Sequence, residues 1–122
     1  MAIVVRSIPV TVNIAGNEVY HTRAQLVQGD IGSNKFVISI QNYNQQVNLT
    51  GLTCSVQFKR PDGTAETKPA TITGLTTGTI EYTIQEADTT IGGNYLACVV
   101  INGSSGERLS TTLFSFRVRE KL

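Results

Sequence analysis

The sequence has no tryptophan, one histidine, one methionine and two cysteines in 122 residues, and only 16% of it is charged. Each shortage removes a class of function. His21 stands alone, with no cysteine near it, so the His/Cys cluster that holds a transition metal cannot be assembled around it. Nothing in the spacing brings it to a serine or cysteine as a nucleophile–base pair either. Asp30, Asp62, Glu86 and Asp88 fall in predicted turns, where carboxylates make local hydrogen bonds, so paired acid–base catalysis is not indicated. The expectation is a non-enzyme without a cofactor. Ten Lys and Arg face nine Asp and Glu, a net charge of +1 with no cluster of either sign, which argues against nucleic acid as a partner. No apolar run approaches the roughly 18 residues of a membrane span. Met1–Arg6 lacks the basic start and apolar region of a secretion signal, so synthesis and folding in a cytoplasm are expected.

What is abundant is Thr, Val, Ile, Gly and Asn, a composition of strands and turns. The plainest element is Thr53–Lys68. Cys54, Val56 and Phe58 alternate with polar residues, and Arg60-Pro61-Asp62-Gly63 writes out a turn. The returning strand, Thr64–Lys68, carries almost no apolar residue and reads as a sheet edge. Phe36, Ile38 and Ile40 mark one half-buried strand, and Ile80, Tyr82 and Ile84 another. Tyr95–Ile101 is apolar on both faces, as a central strand is. In the last strand Leu109 and Leu113 are out of phase with Phe114, Phe116 and Val118, which predicts a bulge or kink near Ser110–Leu113. One helical turn is expected within Gln85–Thr90. About seven strands from residue 22 onward, spaced by turns, predict an all-β, immunoglobulin-like β-sandwich. Cys54 and Cys98 fall on strands expected to be neighbours in one sheet, an awkward geometry for a bridge, so two buried thiols and no disulfide are expected.

Residues 1–22 read as a separate region, and 23–122 as the sandwich. Val10, Val12 and Ile14 alternate with Thr11 and Asn13, and Gly16-Asn17 suits a two-residue hairpin turn. The region is either the first β-hairpin of the domain or an extended arm that pairs with a neighbour's sheet. Pro9 fits an edge or an arm, because it cannot donate to a ladder. If it is an arm, Ile3, Val5, Arg6, Ile8, Val10 and Val12 are its candidate interface residues, and its removal should leave the sandwich folded.

The order of motifs adds to this. Gln28-Gly29-Asp30 is followed by Asn34–Ile40, then by Leu49-Thr50-Gly51-Leu52 with SVQFKRPDGT, then by Gly78–Ile84, Gly93-Asn94-Tyr95 and Leu113–Val118. Over about residues 22–119 this resembles the N-terminal domain of phage baseplate upper proteins, from phages of Gram-positive bacteria. The resemblance implies an immunoglobulin-like domain that plugs into a virion, with other virion proteins of the tail, baseplate or capsid as partners, no catalysis and no cofactor; because virion positions are symmetric, a homo-oligomer is expected. Longer members of that family continue into a linker and a partner-binding domain, whereas this sequence ends at Leu122. An adaptor or fibre-anchoring subunit and a small capsid decoration or head-fibre-base protein are therefore both open. A sugar- or protein-binding module is the reading from another class. It rests on Tyr43, the one aromatic in a predicted loop.

Overall fold

The computed structural model describes residues 5–14, 16 and 18–122. Among these, eleven strands follow one another: β1 (Arg6–Asn13), β2 (Val19–Val27), β3 (Asn34–Asn42), β4 (Gln45–Gln46), β5 (Thr53–Lys59), β6 (Ala65–Pro69), β7 (Thr71–Gly74), β8 (Thr79–Thr83), β9 (Gly93–Asn102), β10 (Arg108–Ser110) and β11 (Leu113–Arg119). A 3₁₀ turn at Glu86–Thr89 fills the place where one helical turn was expected.

The strands form two sheets. The first runs β1-β3-β8-β7, with β4 attached to β3. The second runs β2-β11-β9-β5-β6, with β10 attached to β9. This is the immunoglobulin-type arrangement, four strands facing a sheet centred on β9. The alternations read from the sequence supply the core. Phe36, Ile38, Ile40, Ile80 and Tyr82 point inward from the first sheet, and Val56, Phe58, Tyr95, Val99, Phe114 and Phe116 from the second. Tyr95 closes the corner before β9: its hydroxyl donates to the Ile91 carbonyl at 2.6 Å, a tyrosine corner. The predicted bulge is present. Ser110 pairs with Val100 and Phe114 with Ala97, so the terminal strand spends one residue more than its partner. Thr111 caps the irregularity, its hydroxyl accepting from the Val99 amide at 3.0 Å. That extra residue shifts the apolar phase from odd to even positions.

The N-terminal region departs from expectation. β1 and β2 do not pair with each other, as a hairpin would. β1 runs parallel to β3 in the first sheet and β2 runs parallel to β11 in the second. Each finishes an edge of a different sheet, so the chain changes sheets between β1 and β2. Asn17, half of the expected hairpin turn, lies outside the described residues. The boundary expected at residue 22 falls inside β2. Ile8, Val10 and Val12 are at most 3% exposed and belong to the same core as β3 and β11.

Two turns show why glycine is needed. In the β5–β6 hairpin the Gly63 amide donates to the Arg60 carbonyl at 2.9 Å and the Arg60 amide to Thr64 at 2.8 Å, a three-residue loop that requires Gly63 at φ +90°. At Gly78, φ is +75° and a Cβ would stand 2.6 Å from the Ile40 carbonyl oxygen.

Candidate docking surfaces

A domain of this kind can meet a partner through its sheet edges, its end loops or its sheet faces. Two of the four edges, β1 and β6, carry a proline that resists strand addition. The Arg6 and Ile14 amides donate to Ser33 and Gln41, so even-numbered amides of β1 turn toward β3 and odd-numbered ones outward. Pro9 sits at an outward position and offers no donor there. At the far edge of the second sheet, the Ala70 amide donates to Cys54 at 3.0 Å, which places the even-numbered amides of β6 inward and Pro69 outward. Two of the three prolines thus blunt opposite edges, and the third forms the hairpin turn.

The β5–β6 hairpin carries an ion cluster. Glu66 pairs with Arg60 and, at 2.8 Å, with Lys68. The hydrogen bond from Lys68, then that from Arg60, hold the Glu66 carboxyl below its ordinary range. Arg60 also donates to the Ala87 carbonyl at 3.1 Å and so ties the hairpin to the 3₁₀ turn. Beside it Asp88 makes the local hydrogen bonds expected of a turn carboxylate, and it is buried. It accepts from the Tyr82 hydroxyl at 2.6 Å and from the Gln85 amide at 2.8 Å. Burial first, and the Asp88 bond second, push the Tyr82 phenol well above its ordinary value. These contacts fix the end of the sandwich.

Of the residues expected at an interface, Ile8, Val10 and Val12 are committed to the core, which corrects their reading as arm residues, and Ile3 lies outside the described residues. Val5 is 47% exposed. Arg6 stitches three strands, donating from Nε to Asn34 at 2.9 Å and from Nη2 to the Gln25 carbonyl at 2.8 Å. Tyr43 is 68% exposed, on a tight turn in which it and Asn44 both take positive φ.

The cysteines sit on adjacent strands but on opposite faces. Cys54 opposes Ile101 on the core side, whereas Cys98 opposes Gln57 on the outer side. Both are free and buried. Burial pushes the Cys54 thiol up to about 11 and the Cys98 thiol upward as well.

The outer face of the second sheet was not legible as a site. Leu96 and Leu113 are 39% and 38% exposed there, over Cys98, and a shallow groove of about 330 Å³ runs along them to Lys59 and Ala65. On the same face His21 meets Ser115, Nδ1 to Oγ 2.6 Å, across the β2–β11 pairing. The pair lies exposed on a sheet surface, with no third group among the described residues hydrogen-bonded to the ring. Sequence spacing could not join residues 94 apart. Among the described residues no group of three His, Cys, Asp or Glu could hold a metal ion. No helix among them is long and apolar enough to cross a membrane.

The family model for the BppU N-terminal domain, that of the baseplate upper protein, matches residues 7–122, from β1 to the C-terminal residue. The chain belongs to this family. It is a structural protein of the phage baseplate and tail, and its place is in the virion. The "N-terminal domain of phage TP901-1 ORF48" has a similar structure, with a TM-score of 0.69 and 19% identity over 95% of this chain and 99% of that one. That likeness shows the shared fold. No match was found among the curated proteins. The family match takes in β1, in keeping with the packing of Ile8, Val10 and Val12 into the one core.

Proposed function

We propose that this chain is a docking module of the baseplate: it binds another tail protein as a rigid body and holds a further component in place, without performing a reaction. The observation that carries this is the family match over nearly the whole sandwich. The prolines at two of the four edges support rigid-face docking over strand exchange there, because Pro9 and Pro69 remove donors where an added strand would pair. A rigid sandwich loses little conformational entropy on binding, which suits a permanent joint in a particle. Virion positions are symmetric, so several copies arranged around the tail axis are expected.

The test is to delete the gene from its phage and supply the chain in trans. Tails made without it should lack at least one distal baseplate component by particle electron microscopy, and the supplied chain should restore it. Tails that are complete without the chain, with normal adsorption, would end this reading. Capsids that change while tails do not would move it to the head.

A further inference from the structure

The second sheet has a charge asymmetry that whole-chain counting conceals. Its six strands carry one carboxylate, Glu66, and that group is paired with Arg60 and Lys68. Strand alternation places Lys59, Arg117 and Arg119 on the outer face, all exposed, and none has a carboxylate partner among the described residues. Leu96 adjoins Lys59, and Leu113 lies one row farther along, level with Cys98 and on the side away from Arg117 and Arg119, so the apolar pair borders the cations. Register joins these residues into one surface: Lys59 opposes Leu96, Leu96 opposes Ser115, and Asn94 opposes Arg117.

We infer that this face is the docking surface, and that its occupant is an acidic protein surface with an apolar patch. This rests on the docking reading above and names the surface and the partner's chemistry. An apolar patch bordered by polar and charged groups is the anatomy of a protein–protein interface. A nucleic-acid surface would instead place cations along the whole track, with aromatics for bases. Unpaired cations on one face steer an acidic partner and fix its orientation. Five strands about 4.8 Å apart and about seven residues tall present a face of roughly 20 Å by 20 Å. That is about half of the ~800 Å² that each partner gives to a standard interface. A single contact of this size is salt-sensitive, and several copies around one axis would strengthen it through avidity.

The experiment mixes the purified full chain with tail particles assembled without it and measures uptake by co-sedimentation at low and high salt. Wild type should load, and loading should fall as salt rises. Lys59→Glu/Arg117→Glu/Arg119→Glu should reduce loading at least tenfold at low salt, and Leu96→Ser/Leu113→Ser about fivefold. Lys35→Glu/Glu81→Lys exchanges an ion pair on the other sheet and should stay within twofold of wild type. Thermal unfolding must show each variant folded; a variant that is not is replaced by the corresponding single substitutions. If wild type loads and the folded face variants load equally, this inference fails and docking through another surface stands. If wild type does not load, the docking reading itself fails. Binding to a short DNA duplex with the same charge dependence, in place of particle uptake, would overturn the inference as well.

Discussion

Phe116 stands at the middle of the core, with ring centroids 5.0 Å from Phe36 and Tyr95 and 6.2 Å from Phe58 and Phe114. It therefore bridges the two sheets and stacks on the tyrosine corner. Phe116→Ala should cost about 3–5 kcal/mol in urea unfolding, because the rigid rings around it cannot close the cavity. A loss under 1 kcal/mol would mean that the aromatic cluster repacks. Cys54 provides a pH test. Its thiol rises from an ordinary 9.0 to about 11 on burial, so at pH 8 the folded chain holds about a hundredfold less thiolate there than an exposed cysteine. A raised pKa contributes stability that is complete below the unfolded value and is lost as pH climbs toward the folded one. Stability should therefore fall between about pH 9 and 11, and Cys54→Ser should flatten that fall. Thiol labelling at pH 8 should follow global unfolding. Rapid labelling of Cys54 in the folded chain would refute the assignment.

At the scale of elements, the edges and the first strand carry the tests. Pro9→Ala with Pro69→Thr restores an outward donor at each of two edges. The variant should fold, yet form larger species than wild type in light scattering at high concentration. An unchanged mass would show that other features protect the edges. β1 is the element whose reading changed most. As an arm it would be dispensable. As the strand that buries Ile8, Val10 and Val12, each contributing roughly 1.5–3 kcal/mol, it accounts for much of the ~5–15 kcal/mol that keeps a domain folded. A chain lacking residues 1–22 should therefore lose its cooperative unfolding transition in circular dichroism. A folded truncation would restore the arm.

At the scale of the whole molecule, most pairings join distant parts of the chain. β2 meets β11 with His21 opposite Ser115, and β1 reaches the terminal bulge, where the Thr112 amide donates to Asn13 at 2.8 Å. Loop-closure entropy must be met before such contacts form, so refolding should be slow for this length, in milliseconds to seconds. Stopped-flow refolding in microseconds would contradict that topology. Docking belongs to this scale too, since the cations and leucines of the face inferred to bind an acidic partner come together from strands β5, β9 and β11.

Several features were determined by the sequence alone because their physics is local. Period-two burial in β3, β5 and β8, the Arg60–Gly63 turn and the polar edge strand β6 depend on neighbours a few residues away. Even the terminal bulge showed in the phase slip of Leu109 against Phe114 and Phe116, although Leu113 proved to lie beyond the bulge, on the outer face. Tertiary structure decided which sheet each strand joins. Val10 and Val12 show the same alternation whether their strand turns back as a hairpin or crosses to β3, and both arrangements satisfy it. The outer face of the second sheet was hidden for the same reason. Its cations and leucines are scattered from Lys59 to Arg119, and only the register of three strands gathers them.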